Sequence, residues 1–200
     1  GPRRTDEDIV AALGTSPRLE DASIRLIKVL RMVDIILAED TRHTAVLLRR
    51  YGIRTRLVSY HEFNEVERAA QAAAWLARGD QVALVSDAGT PTVSDPGYRV
   101  VRLASEQGYR VVPVPGPSAA VAALSASGLP SDQFTFVGFL PRKQGARQRL
   151  LQELAAAGRT VIIYESPLRV ARTCAEIVEI FGPAREMVIA RELTKEFEQF

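Results

Sequence analysis

The amino-acid sequence predicts an α/β protein of two domains with mostly parallel sheets, the second sheet mixed. Three observations predict it. Short β-branched runs alternate with amphipathic helical patterns, the order that builds parallel sheets covered by helices. Pro113, Pro115 and Pro117 crowd around Gly116, where neither a helix nor a central strand can continue. The chain has 200 residues, 46% of them hydrophobic and 25% charged, the balance of globular proteins large enough for two modest cores. The predicted domains are residues 1–113 and 118–200, joined by the linker 113–117.

Thr5-Asp6-Glu7-Asp8 before the apolar run Ile9–Leu13 reads as a short helix with acids at its positive end. Residues 19–30 carry Ile24, Ile27, Val29 and Leu30 at helical spacing, with Asp21 as the cap. Residues 33–38 read as a strand, 41–50 as a helix, 57–60 as a strand and 62–78 as an amphipathic helix stopped by Gly79. A buried strand at 81–86, a helix at 97–107 and a strand at 110–114 complete the first domain. The second is expected to run as helix 118–127, strand 135–139, helix 146–157, strand 160–165, helix 168–181 and strand 187–191. Phe200 follows that last strand closely, so this domain is expected to be truncated.

Composition narrows the function. The formal charge is +2 and only Lys28, Lys143 and Lys195 are lysines among 26 basic residues, so charge alone does not mark a nucleic-acid binder. Cys174 is the single cysteine and cannot form an internal disulfide, which points to a reducing compartment. No apolar run approaches the ~20 residues of a membrane helix, and a cytoplasmic address is expected. Phosphate loops of the Walker type, nucleophile elbows, zinc ligand pairs and the dinucleotide glycine fingerprint are all missing from the sequence, so no metal is expected.

Three strand-ending loops carry chemistry. The strand at 81–86 runs into Asp87-Ala-Gly89-Thr90-Pro-Thr-Val93-Ser-Asp95-Pro-Gly97, far longer than a plain connection needs. Ligands of open α/β sheets sit outside the carboxyl ends of the strands, and a glycine there lets backbone approach a ligand. Pro-Gly116-Pro-Ser118-Ala119 opens a helix whose free N–H groups can meet polar ligand atoms. Ala38-Glu39-Asp40-Thr41-Arg42-His43 follows the second strand, and its density of ionisable groups suits orienting a hydroxyl or taking its proton. Tyr164-Glu165 and Leu193-Thr-Lys195 also follow predicted strands.

The strings ILAEDTRHT (36–44), SYHEFNE (59–65), VALVSDAGTPTVSDPGYR (82–99), VPGPSA (114–119), ALSASGLP (123–130), FVGFLPRK (136–143), YESPLR (164–169) and ARELTKEFE (190–198) resemble the tetrapyrrole methylase superfamily. Within it they resemble the ribosomal RNA small subunit methyltransferase I family. Leu13–Leu19 stands where that family's first strand meets an A-T-P-I-G-N-L loop. The resemblance implies a homodimer that uses S-adenosylmethionine, held between two α/β domains, to methylate the ribose 2′-hydroxyl of a cytidine in 16S rRNA of the small ribosomal subunit. It implies donor contacts from Asp87, Gly89, Thr90, Val93, Ser118, Ala119, Tyr164, Glu165 and Leu193. Asp40, His43, Lys195 and Glu39 are the candidates for handling the hydroxyl proton, unranked. Arg42, Arg49, Arg50, Arg142, Lys143 and Arg147 are the candidates for RNA contact. Two alternatives stay open: a corrin-ring C-methylase of the same superfamily, and a non-catalytic RNA-binding or dimerisation fragment.

Overall fold

The computed structural model describes residues 9–16 and 18–200. The chain divides into two compact units, one running through Ser118 with Thr194–Glu196 added, the other Ala119–Leu193 with Phe197–Phe200.

The first unit is a parallel sheet. Its strands are β1 (Ile9–Leu13), β2 (Ile35–Ala38), β3 (Arg56–Ser59), β4 (Val82–Val85) and β5 (Arg110–Val114), in the order β3-β2-β4-β1-β5. Between them run α1 (Ile24–Met32), α2 (Thr41–Arg50), α3 (Glu65–Ala77) and α4 (Tyr98–Glu106). Every residue of β2 and β4 is buried, as expected of strands covered on both faces. Side chains alternate along a strand, so each strand feeds two cores. Ile35, Leu37, Val82 and Leu84 meet Trp75, Leu76 and Val100 of α3 and α4. Ile36, Ala83 and Val85 meet Leu26, Leu30, Leu47 and Leu48 of α1 and α2. Pro113 lies in β5, an edge strand, where a missing N–H is tolerated.

The structure corrects the start of the chain. Ile9–Leu13 is a strand, not a helix, with Val10, Ala11 and Leu13 buried between β4 and β5. A five-residue apolar run is too short for periodicity to separate the two states, and long-range pairing decides. The supposed capping residues Thr5–Asp8 lie outside the described residues. Likewise Ser23, not Asp21, caps α1 by accepting from the Leu26 N–H at 3.1 Å, because Leu19–Asp21 forms a separate 3-10 turn.

The second unit comprises α5 (Ala119–Ala126), β6 (Phe134–Phe139), α6 (Gln144–Ala156), β7 (Thr160–Tyr164) and α7 (Val170–Phe181). Its sheet, expected to be mixed, is β6 and β7 paired in parallel among the described residues. Residues 187–190 form no strand. Only Arg191 pairs, antiparallel, with Gln199, and Met187, Val188 and Ile189 remain exposed. β-branched composition favours strands only where a partner edge completes the ladder.

Arg147, a candidate for RNA contact, is buried. Its guanidinium grips the Glu176 carboxylate of α7 at 2.6 and 2.7 Å and donates to the Pro141 and Arg142 carbonyls at 3.2 and 3.0 Å. It ties α6 and the loop after β6 to α7 and is not available to RNA.

Candidate functional site

The carboxyl ends of β1, β2 and β4 are neighbours in the first unit, and the residues that follow them meet. After β2, Asp40 caps α2, accepting the Arg42 N–H at 2.8 Å. The Arg42 guanidinium folds back onto the same carboxylate, with its closest contact at 2.5 Å. These bonds hold the Asp40 carboxyl well below the ordinary carboxylate range, so it is a poor proton acceptor. Asp87, after β4, accepts the Asp40 backbone N–H at 2.9 Å through Oδ1 and faces His43 Nδ1 with Oδ2 at 3.3 Å. A carboxylate on one ring nitrogen fixes the tautomer and leaves the other free to take a proton. The His43 side chain is 70% exposed. Glu39 is half-buried, and burial, then the Asp87 charge, pushes its carboxyl up.

The loop after β4 turns through an unusual backbone path. Gly89 and Gly97 have φ of 105° and 134°, and Thr92 and Ser94, both non-glycine, have φ of 73° and 62°. Left-handed backbone at a β-branched residue persists only where surrounding contacts impose it. The Val93 N–H on the Thr90 carbonyl closes a turn around Thr92, and the start of the loop is held as well. Gly89 and Thr15 exchange backbone hydrogen bonds at 2.7 and 2.9 Å. Thr15 Oγ1 donates to the Ser86 carbonyl, and Ser86 Oγ donates to the Gly89 carbonyl at 3.0 Å. No atom lies within 4 Å of where a Gly89 Cβ would sit, so this glycine presents open backbone. A neighbouring glycine pair does the opposite: a Cβ on Gly116 would stand 2.3 Å from the Gly14 carbonyl oxygen, so the loops after β1 and β5 touch backbone to backbone.

Beside the acid–histidine group lies a cavity of about 300 Å³, lined in part by Thr15, Ser16, His43, Asp87, Ala88 and Lys195. Lys195 thus lines the same cavity as His43 and Asp87. A larger hollow of about 660 Å³ in the second unit, bordered by Asp132, Arg159, Phe181 and Met187, contains none of the predicted residues.

The other predicted residues divide as follows. Thr90 and Val93 form a turn in the β4 loop, with the Val93 N–H on the Thr90 carbonyl at 3.2 Å. Ser118 closes the first unit and Ala119 begins α5. Tyr164, Glu165 and Leu193 belong to the second unit. There Tyr164 packs edge-on against Phe136 and Phe139, and Glu165 accepts from Thr173 at 2.7 Å and pairs with Arg169 at 2.6 Å. Arg49, Arg50, Arg142 and Lys143 are exposed.

Sequence reading passed over Asp95. It is half-buried, and burial, then the charges of Glu39 and Asp87, pushes its carboxyl up to about 7. The signal available was a second acid in the same loop. Its approach to Glu39, from another strand, is a product of the fold.

Comparison with known proteins adds the following. Residues 10–200 match the family described as Tetrapyrrole (Corrin/Porphyrin) Methylases. The chain is 51% identical over 180 residues to a "Ribosomal RNA small subunit methyltransferase I" of Escherichia coli O157:H7, covering 90% of this chain and 63% of that one. It is 53% identical over 181 residues to the protein of the same name from Mesorhizobium japonicum, covering 90% and 62%. The chain therefore spans less than two thirds of the length of these relatives. Among solved structures, a cobalt precorrin-4 methyltransferase of cobalamin biosynthesis superposes with a TM-score of 0.73 at 15% identity, over 100% of this chain and 87% of that one. The methyltransferase CobJ superposes with a TM-score of 0.70 at 22% identity, over 96% and 83%. At these identities the likeness is one of fold.

Proposed function

The chain belongs to the tetrapyrrole methylase family, and on that premise we propose that it is an S-adenosylmethionine-dependent methyltransferase acting on a ribose 2′-hydroxyl of small-subunit rRNA. The observation that carries this reading is the Asp87–His43 pair beside the open Gly89 backbone, at the carboxyl edge of a parallel sheet. Relatives near 50% identity bear an rRNA methyltransferase name, which favours RNA over the corrin rings of the more distant structures. The acid–histidine pair on the cavity wall suits a hydroxyl, while Leu19, Val46, Leu47 and Val85 make much of the remaining wall apolar.

The residues fit a cationic donor. S-adenosylmethionine, when bound, supplies an electrophilic methyl group on a sulfonium centre. Asp87 opens the loop and Glu39 lies near it, and carboxyl groups there favour positive charge. Gly89 leaves backbone uncovered, and Thr90, Val93, Ser118 and Ala119 extend the proposed contact. Tyr164, Glu165 and Leu193 are further proposed donor contacts.

We propose an order among the proton acceptors. Asp40 is committed to Arg42 and to its helix. His43, oriented by Asp87, takes the hydroxyl proton. Lys195, on the cavity wall, favours the oxygen as it becomes anionic, and Glu39 supports the local field. Positioning two reactants can supply roughly 7–11 kcal/mol of a barrier and a general base ~10²–10⁴-fold in rate. Exposed Arg49, Arg50, Arg142 and Lys143 are proposed RNA contacts, and the small ribosomal subunit, a homodimer and a cytoplasmic setting belong to the same reading. Among the described residues no helix is long and apolar enough to cross a membrane.

The test is calorimetric titration of S-adenosylmethionine, with Gly89→Arg as the blocked control, followed by methylation of unmodified small subunits. Donor binding abolished by Gly89→Arg and methylation lowered ~10²-fold or more by His43→Gln, at unchanged donor affinity, are expected. A folded protein that binds RNA and no donor would instead favour the RNA-binding fragment.

A further inference from the structure

The two faces of the first sheet are charged differently. Leu26 and Leu30 of α1 and Leu47 and Leu48 of α2 pack on one face, and Trp75, Leu76 and Val100 of α3 and α4 on the other. On the first face α1 bears Arg25, Lys28 and Arg31, α2 bears Arg42, Arg49 and Arg50, and neither helix contains an acid. On the second, Arg68, Arg99 and Arg102 stand with Glu65, Glu67 and Glu106. These groups meet: Arg68 pairs with Glu67 at 3.9 Å, Arg99 with Glu65 at 3.2 Å and Arg102 with Glu106 at 2.7 Å. Arg78, after α3, pairs with Asp80 at 2.7 Å. On the α1–α2 face, among the described residues, only Arg42 has a carboxylate partner, Asp40. The acids of this stretch lie outside the two helices. Glu20 and Asp21 precede α1, and Asp34, after it, accepts the Gln81 N–H at 2.8 Å.

The unpaired bases are gathered together. Arg25, Lys28 and Arg31 recur at three-residue spacing on the exposed side of α1, where like charges repel. Arg31 donates to the Tyr51 carbonyl at 2.8 Å, which brings it to the end of α2 that carries Arg49 and Arg50. Thr55 donates to the Leu30 carbonyl at 2.6 Å and Ile53 packs in the same core, so Arg54, exposed between them, joins the group. Helix dipoles do not account for it. They favour cations in the last turn, yet α3 and α4 end without one, and Arg25 and Lys28 lie outside the last turn of α1. A second copy of the chain does not suit the face either, because a twofold axis would set bases against bases. A polyanion does.

We propose that the α1–α2 face is where the ribose–phosphate backbone of the substrate RNA docks, with Arg25, Lys28, Arg31 and Arg54 joining Arg49 and Arg50 as phosphate contacts. That the polyanion is RNA rests on the reading of the chain as an rRNA methyltransferase. α2 links the surface to the site. Its first turn holds His43 against Asp87, and it rises ~9 Å from His43 to Arg49. One strand can therefore present a ribose at His43 while its neighbouring phosphates follow α2 to the bases. Phosphate contacts set where a strand lies, not which base is read.

The test is the salt dependence of binding to a fluorescently labelled single-stranded RNA oligonucleotide, measured by anisotropy over a series of KCl concentrations. Lys28→Gln with Arg54→Gln removes two exposed, unpaired charges from this face. Each lost phosphate contact lowers the slope of log K against log salt by ~0.7, so the pair is expected to lower it by ~1.4 and to weaken binding ~25-fold at ~0.1 M salt. Arg78→Gln with Arg102→Gln removes two charges from the opposite face and is expected to stay within ~2-fold of the parent protein. Calorimetry of S-adenosylmethionine with each variant separates the surface from the reading. A Lys28–Arg54 pair variant that binds RNA as the parent does overturns the proposal, as does an equal loss from both pairs or a parent that binds no RNA at low salt. If donor binding persists in those cases, the methyltransferase reading stands. A loss confined to the α1–α2 pair in a protein that binds no donor would sustain the surface and overturn the methyltransferase reading.

Discussion

Replacing Arg147 by alanine removes four side-chain hydrogen bonds from the interior of the second unit, two to Glu176 and one each to the Pro141 and Arg142 carbonyls. The side chains of the pair are 4% and 10% exposed, so the lost partner is not replaced by bulk water. Breaking such a buried pair costs about 3–5 kcal/mol, because the orphaned charge remains. Arg172 still reaches Glu176 at 3.1 Å, but from a largely exposed position, which places the expected loss near the lower end, about 3 kcal/mol. With a urea slope of ~2 kcal/mol/M the midpoint moves by ~1.5 M. Because the chain has two units, the assay is hydrogen exchange of α6 and α7 peptides through the urea series, which reads this unit directly. Arg147→Met with Glu176→Leu removes both charges and is expected to recover most of the loss. The pair also fixes an acid limit. Arg147 lowers the Glu176 carboxyl from 4.5 to about 2, so its contribution is present above pH 4.5 and is lost as pH falls toward 2. A loss below ~1 kcal/mol for Arg147→Ala, or a double variant as unstable as the single, would refute the reasoning.

Two further outcomes follow from the first unit. Asp95 has the opposite sign to Glu176: its carboxyl is raised from 3.8 to about 7, so its stability contribution is full below 3.8 and is lost as pH rises to 7. Asp95→Asn is therefore expected to raise stability at pH 8 by about 1–3 kcal/mol, after allowing for partial solvent screening, and to change little in acid. Urea unfolding followed by the fluorescence of Trp75, the single tryptophan, measures this, and equal stabilities at pH 8 would count against the burial of Asp95. Gly116→Ala places a methyl 2.3 Å from the Gly14 carbonyl oxygen and is expected to cost about 2 kcal/mol or more. Gly145→Ala, in α6 with nothing within 4 Å, is expected to gain up to about 1 kcal/mol. Thermal unfolding of both variants checks the contrast.

Much of the fold was legible because its strands and helices differ in period. α2 runs over Thr41–Arg50 as its apolar spacing predicts, and β2 and β4 are buried runs bounded by turn residues. What escaped depends on partners far away in the chain. Ile9–Leu13 is a strand because β4 and β5 flank it, whereas residues 187–190, equally apolar, have no ladder among the described residues. The site was legible as three strand-ending loops, since a parallel sheet delivers those ends to one edge. Which acid faces which was not. Asp40 could be read as a helix cap, but its loss to Arg42, the Asp87–His43 pairing and the burial of Asp95 depend on register between strands. Arg147 misled for the same reason: its partner lies 29 residues away on α7.

The place of β1 also bears on how the protein is made. Val10 pairs with Val82 on one side and Val111 on the other. On a ribosome β1 therefore emerges well before its neighbours, with about 70 residues to follow before β4 and about a hundred before β5. At ~5–20 residues per second that is several seconds during which an apolar segment is without a ladder. Only when β5 has left the tunnel can the sheet close around it, and until then β1 depends on protection.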